Sequence, residues 1–454
     1  MSIRTHATRL GWPIGFLALA SFVACDDNVT EPEEEGDPDV MTNPVDERCE
    51  VDNSGLSLPD DFCAIVVHDA ATPGGDAAAA RHIVVRDNGD VFVAIQSDGG
   101  GVLALRDTDG DGRADETELF GSAPGHGIAL SGSSLYFAPN DRVERYQLSA
   151  DGLVPESGPD VIVTGMPDEG DHVTKSIAVT SDGTLYVNLG SASDVCQEVN
   201  REIGSTGVDP CPELPVRSGI WAYDANATGQ VHSSEARYVS GTRNMVALAL
   251  NPTNGDLYGV QHGRDNLNEY WPDLYSPEDQ AELPSEEFFR FEEGADYGWP
   301  YCYHDGREDV KVLAPEYGGD GTIVDRCADA ESPILTFPAH WAPNGLVFYD
   351  GDQFPARYQN GAFVAFHGGF NRPDPFRDEG FNIQFVPFQE GLPSAGAEVF
   401  ADGFVGEGAV DLPGDALHRP VGLAVGPDGS LYVTDDRGGR IWRIVHASDD
   451  GSGS

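Results

Sequence analysis

The chain has 454 residues, with 77 acidic against 26 basic side chains and a formal net charge of −51. A field of that sign and size repels phosphate backbones, which excludes a nucleic-acid partner. Hydrophobic residues at 40 % and 21 Phe allow a sizeable core, while 55 Gly and 31 Pro punctuate the chain too densely for long helices.

Residues 1–24 read as an export signal. Arg4 and Arg9 give the positive start, and residues 10–24 form an apolar run too short to span as a mature helix. The run ends in Ser21, Phe22, Val23 and Ala24 before Cys25, which is similar to a bacterial lipoprotein cleavage box. Cys25 is then the lipid-modified first residue, and the protein is exported and anchored to a bacterial membrane by lipid alone. An ordinary signal peptide with an incidental cysteine is the alternative. Residues 25–48 are acidic, contain Pro32, Pro38 and Pro44, and have almost no large apolar side chains, so a disordered tether is expected. The globular domain runs from 49 to 447, and residues 448–454 form a frayed tail.

Seven cysteines are an odd number for an exported chain. Assigning Cys25 to lipid leaves six in local couples: Cys49 with Cys63, Cys196 with Cys211, and Cys302 with Cys327. An oxidising compartment favours disulfides. Six cysteines allow many connectivities, and the local pairing is the expectation. The chain has no CxxCH motif for covalent haem.

Six segments share one pattern of apolar strand, turn and second apolar or aromatic strand. They run from 82–85 to 91–93, 127–130 to 135–137, 176–179 to 185–187, 247–250 to 257–259, 345–348 to 362–364, and 422–425 to 431–433. Most turns place Gly after Asp or Asn, which supplies the positive φ that tight hairpins need. One hairpin cannot bury its own face, but six arranged radially can. The expected fold is therefore all-β, a six-bladed β-propeller. Repeat spacing varies from about 45 to about 100 residues, with the excess after repeats three, four and five. Such insertions build sites on one face.

The residue just before the first strand of most repeats is His or Arg. These are His126 in the second repeat, His172 in the third, Arg243 in the fourth, His340 with Trp341 in the fifth, and His418 with Arg419 in the sixth. Equivalent positions of a propeller converge on its axis, so basic groups are expected to ring one mouth of the channel. Taken singly, each histidine also reads as a hydrogen-bonded surface residue. Together they suit an anionic ligand held beside a general base.

Asp107, Asp109, Asp111, Arg113 and Glu118 fit the calcium-loop pattern D-x-D-x-D-G-x5-E, with Gly112 at the sharp turn. The flanks read as strands, so a structural Ca2+ in a β-hairpin is expected; an empty acidic turn is the alternative. Tyr297, Trp299 and Tyr301 alternate with Gly298 and Pro300, and either pack a loop or offer a stacking face.

Several of these segments resemble the glucose/sorbosone dehydrogenase family, over residues 60–446. They are His172 to Ser176, Leu185 to Ser191, Gly241 to Asn244, Arg264 with Asp265, Tyr297 to Pro300, Ala342 to Gly345, His367 to Arg372, and Arg419 to Gly422 followed by Gly426 to Gly429. The His367 to Arg372 segment is more similar to the sorbosone branch. The resemblance implies a pyrroloquinoline quinone (PQQ) cofactor at the channel mouth, and oxidation of a sugar at an anomeric hydroxyl or aldehyde hydrate by hydride transfer. It makes His172 the general base, and Arg243 the group that stabilises the developing oxyanion. It places Asn244 at the cofactor, Arg419 on a cofactor carboxylate, and Arg372 and Arg264 as further anion partners. It also implies a Ca2+ acting as Lewis acid on the quinone, with ligands partly on backbone near Gly263 and Arg264. Electrons then leave to a separate soluble acceptor. Two positions depart from the family: Gly368 where the glucose branch has lysine, and His262 where the family has glutamine.

Two other readings compete. A calcium-dependent lactonase-like hydrolase would need acidic metal ligands at the mouth. A non-catalytic propeller that binds glycans or proteins would not need His172 or Arg243.

Overall fold

The computed structural model describes residues 48–70, 79–369, 371–372, 379–408 and 410–447. The export segment, Cys25, the tether through residue 47 and the tail from residue 448 lie outside the described residues. Six antiparallel sheets form the blades of a β-propeller.

Blade 1 is Ala80–Val85, Val91–Ile95, Gly101–Arg106 and Glu116–Phe120, in that order from the axis outward. Blade 2 is Gly125–Ser131, Ser134–Pro139, Arg142–Gln147 and Asp160–Thr164, with Gln230–Val231 added in parallel at its outer edge. Blade 3 is Ile177–Val179, Thr184–Leu189, Gly219–Asp224 and Arg237–Ser240. Blade 4 is Ala247–Leu250, Leu257–Gln261, Glu286–Arg290 and Leu335–Phe337. Blade 5 is Pro343–Phe348, Ala362–His367, Phe381–Val386 and Glu398–Ala401.

Blade 6 takes three strands from the end of the chain and one from its beginning. Pro420–Val425, Leu431–Asp435 and Arg440–His446 are completed by Phe62–Asp69, which pairs antiparallel with the last strand from Phe62↔His446 to Asp69↔Arg440. The ring is thus closed by backbone hydrogen bonds. Each sequence repeat forms the inner two strands of one blade.

The core is divided among the gaps between blades. Ile83, Val91, Tyr432 and Ile441 pack blade 1 against blade 6, and Phe92, Ala104, Leu135 and Phe137 pack blade 1 against blade 2. Similar clusters fill the remaining four gaps. Trp442 is fully buried between blades 5 and 6; such a side chain contributes about 2–3 kcal/mol of burial free energy. Inner strands approach closely: a Cβ on Gly345 would lie 2.1 Å from the Val421 carbonyl oxygen, so only glycine fits.

The cysteines pair as Cys49–Cys63, Cys196–Cys211 and Cys302–Cys327. The first staples the chain before blade 1 to the closing strand. The other two lie in the long insertions of blades 3 and 4, which pack on one another through Cys196, Cys211, Trp299 and Tyr301. Among the described residues no helix is long and apolar enough to cross a membrane.

Candidate active site

The channel mouth is built from residues that precede the inner strands and from the two insertions. His172 lies just ahead of the blade 3 inner strand. Its Nδ1 faces the Ser191 carbonyl at 3.1 Å and Ser191 Oγ at 2.9 Å. Ser191 Oγ gives its own proton to the Ser193 carbonyl at 2.6 Å. It can therefore only accept from His172, so Nδ1 carries the proton and Nε2 keeps its lone pair. Burial, and after it the Arg243 charge, holds His172 well below the usual histidine value. The imidazole is neutral at pH 7. Gly190 makes room for it, since a Cβ there would lie 2.6 Å from His172 Cβ and 3.2 Å from Asn244 Oδ1.

Arg243 is buried behind His172. Its Nη2 donates to Asp194 Oδ1 at 2.7 Å and to Asp265 Oδ2 at 2.8 Å, while Nε donates to Asp194 Oδ1 at 3.1 Å. Arg201 also reaches Asp265, at 3.0 Å. Burial alone would raise Asp265, but Arg243, His340 and Arg201 hold it well below the usual carboxylate range. Asn244 is buried with Oδ1 unpartnered.

Arg264 is turned away from this group. It is paired with Glu316 at 2.5 Å, and lies 3.9 Å from Asp194. Arg372 lies against the blade 4 insertion, where it donates to the Ala281 carbonyl at 2.9 Å and pairs with Glu379 at 2.6 Å. Arg419 does face the channel. Its Nε donates to the His367 carbonyl at 2.8 Å, and its two terminal nitrogens make no hydrogen bond among the described residues. Burial pushes it down to about 10.

Two of the rim histidines have structural partners instead. His340 Nε2 meets the carbonyls of Gln280 and Leu283 at 2.8 and 3.0 Å. His418 bonds Asp435 at 2.6 Å and packs edge-on against Trp442. Their place in the channel is taken by histidines in the inner strands or beside their ends. Arg81 donates to His126 Nδ1 at 2.9 Å, and His126 Nε2 meets His82 Nε2 at 3.1 Å. His262 reaches Asn344 Oδ1 at 3.0 Å, and His367 bonds Asp436, which also pairs with Arg81. Burial pushes His82 to about 4 and His262 to about 3. The basic groups of the mouth are therefore not a ring of bare cations. They are a set of buried arginines matched by Asp194, Asp265 and Asp436, with neutral histidines between them.

The aromatic segment packs a loop. Tyr297 and Trp299 are buried, and Trp299 Nε1 donates to the Asp194 carbonyl at 2.9 Å. The acidic loop lies away from the mouth, against the closing strand, where Arg113 Nη1 donates to the Val66 carbonyl at 3.1 Å. Asp107, Asp109 and Asp115 offer carboxylate oxygens within 4.8 Å of one another. Glu118 sits instead on the strand, opposite Ala104 and exposed, and Asp111 Oδ1 accepts from the Arg113 amide at 2.8 Å.

Comparison with known proteins places this geometry in context. An uncharacterized protein of Borreliella burgdorferi is 28 % identical over 207 residues, so the chain matches 48 % of that relative's length and 45 % of its own. A pyrroloquinoline quinone-dependent sugar dehydrogenase of Hypocrea jecorina is 25 % identical over 402 residues, 83 % of this chain and 87 % of that one. Among solved structures, a Trichoderma reesei carbohydrate-active enzyme of family AA12 superposes with TM-score 0.69 at 22 % identity, covering 86 % of this chain and 98 % of that one. The holo pyranose dehydrogenase PQQ domain of Coprinopsis cinerea gives TM-score 0.68 at 19 % identity, covering 86 % and 97 %. These structural likenesses establish a shared fold. The TrAA12-like family model matches residues 70–447, and the chain belongs to that family.

Proposed function

We propose that the protein is a PQQ-dependent sugar dehydrogenase in which His172 is the general base. The observation that carries this is the state of His172: Nδ1 is committed to Ser191, and Nε2 is a bare lone pair beside a buried arginine. The relative from Hypocrea jecorina supports the same chemistry. The residues present fit the cofactor. Asn244 Oδ1 is an orphaned buried acceptor, and Arg419 has unsatisfied donors where a planar, multiply anionic quinone needs them. Arg419 would hold a carboxylate of the cofactor, with Arg81 behind it, and Asn244 would hold a polar edge. When bound, PQQ supplies the two-electron oxidant that accepts hydride from the sugar carbon.

His172 Nε2 takes the proton of the sugar hydroxyl, as a neutral base that burial keeps available at pH 7. Arg243 is fixed by Asp194 and Asp265, and stabilises negative charge as it develops on the sugar oxygen. Arg264 braces this cluster through Glu316 and Asp194 rather than touching the cofactor, and Arg372 braces the blade 4 insertion. Asp194, Asp265 and Asp436 at the mouth are each engaged by arginine, which disfavours a metal-hydrolase arrangement.

The acidic loop of blade 1 takes Ca2+ through Asp107, Asp109 and Asp115, in place of the set with Asp111 and Glu118. Three disulfides fit an oxidising compartment. Cys25 anchors the protein there by lipid, and a separate carrier accepts the electrons. Loss of palmitate labelling in Cys25→Ser tests the anchor.

The deciding experiment reconstitutes the purified protein with PQQ and Ca2+ and follows dye reduction across a panel of sugars. Saturable, sugar-dependent reduction is expected. His172→Ala should bind quinone and fail to turn over. Absence of quinone binding in the unmodified protein refutes the proposal.

A further inference from the structure

Lysine is the rarest charged residue here. The chain has only Lys175 and Lys311, and both are buried. Lys311 has a carboxylate partner, Glu287 at 2.8 Å. Lys175 does not. Its Nζ donates to the carbonyls of Pro167, at 2.9 Å, and of Val173.

Arg217 is a second buried cation of this kind. Its Nε donates to the Gly190 carbonyl at 2.7 Å, Nη1 to the Glu169 carbonyl at 2.7 Å, and Nη2 to the His172 carbonyl at 3.4 Å. Burial lowers Lys175, and the Arg217 charge lowers it further.

A buried cation is costly unless something necessary depends on it. This chain has 77 acidic residues, yet among the described residues neither cation has one in ion-pair contact. Both are spent on backbone instead. Four of the five carbonyls they hold belong to residues 167–173, the loop that carries His172. The fifth, Gly190, adjoins Ser191, whose oxygens fix His172 Nδ1. The two side chains therefore grip both sides of the contact that orients the imidazole.

We propose that Lys175 and Arg217 are positioning residues that hold the His172 loop by its carbonyls and so aim Nε2 at the substrate. The inference rests on His172 being the base. A role in packing alone would change stability and leave turnover untouched.

The test uses the full chain, with Lys175→Met, Lys175→Arg, Arg217→Lys, and Phe385→Leu in the core of blades 5 and 6 as a destabilised control. Hydrogen exchange is measured without cofactor, and kcat, KM and quinone affinity after reconstitution. Lys175→Met should speed amide exchange in residues 167–174 by roughly 10-fold or more and lower kcat by about 10- to 100-fold, with KM and quinone affinity within about 3-fold. Arg217→Lys should act in the same direction, and Lys175→Arg should restore part of kcat. Phe385→Leu should lower Tm without moving kcat. Unchanged exchange in residues 167–174 overturns the clamp. An unchanged kcat in Lys175→Met, or an equal loss in Phe385→Leu, overturns the positioning role. If the unmodified protein oxidises no sugar, the dehydrogenase reading fails and the positioning role falls with it, while the exchange data still decide the clamp.

Discussion

Glu286 lies on the third strand of blade 4, 1 % exposed, and ties two turns of the mouth together. Its Oε2 accepts from the Gly263 amide at 2.7 Å and Oε1 from the Ala342 amide at 3.2 Å. Burial pushes this carboxyl up to about 8, against those two hydrogen bonds, which favour the ionised form. An unfolded glutamate titrates near 4.5. The folded state thus binds more protons than the unfolded state between these values. The stabilisation is fully present below 4.5 and is lost as pH rises through about 8. At about 1.4 kcal/mol per pH unit the loss between pH 5 and pH 8.5 is on the order of 4 kcal/mol. Glu286→Gln cannot ionise, and its amide NH2 must face one of the two backbone donors, a mismatch of about 1–3 kcal/mol. The variant should be less stable than the parent at pH 5 and more stable at pH 8.5. Urea unfolding of both proteins without cofactor, across that range, reads the difference directly. A difference that stays constant within about 0.5 kcal/mol would refute both the raised carboxyl and its role in joining the turns.

Because burial and then Arg243 depress His172, kcat/KM should stay flat as pH falls from 8 through 6.5, and Arg243→Met should move the acid limb upward. A limb at or above 6.5 in the unmodified protein contradicts the neutral base. Arg419→Met should weaken quinone binding by about 10- to 100-fold in an equilibrium titration, since a cofactor carboxylate then loses its guanidinium partner; unchanged affinity removes Arg419 from the cofactor site. Calcium should raise Tm in differential scanning calorimetry, and Asp109→Asn should abolish that rise while matching the parent in chelator. A rise that survives the substitution places the ion elsewhere.

The inner half of every blade was legible because its strands carry apolar residues bounded by Gly-containing turns, even in the fifth repeat. The outer strands were harder to read. Phe62–Asp69 completes a blade whose other strands lie some 360 residues away, and Gln230–Val231 is a two-residue addition. Position along the repeat pointed to His172, Arg243 and Arg419, and the family resemblance to Asn244, but neither could give side-chain direction. Arg264 and Arg372 turn toward Glu316 and Glu379, and His340 and His418 are captured by backbone carbonyls and Asp435. Asp194 and Asp436 went unnoticed, and Asp265 was named only beside Arg264 with no role, because 77 acidic residues leave no contrast by which a buried carboxylate stands out. His82 opens its repeat much as His126 precedes the next, and that parallel was the available clue to the channel histidines. In the acidic loop, the D-x-D-x-D-G-x5-E spacing could not show where Glu118 points. Here the chain continues into a strand in register with Ala104.

Closure by Phe62–Asp69 has a consequence for how such a chain can change over time. A stack of repeats has two ends, and a unit can be gained or lost there. A closed ring has no terminal unit, and every apolar flank already belongs to a neighbour. Removing one blade exposes two flanks at once, and adding one changes the angle at every other seam. Growth is confined to the connections, which is where the unequal distances between repeats have accumulated. The same constraint brings the start and finish of the domain side by side. A circular permutant that joins them and opens at an exposed turn on the face opposite the mouth should fold to the same ring, with its chemistry undisturbed.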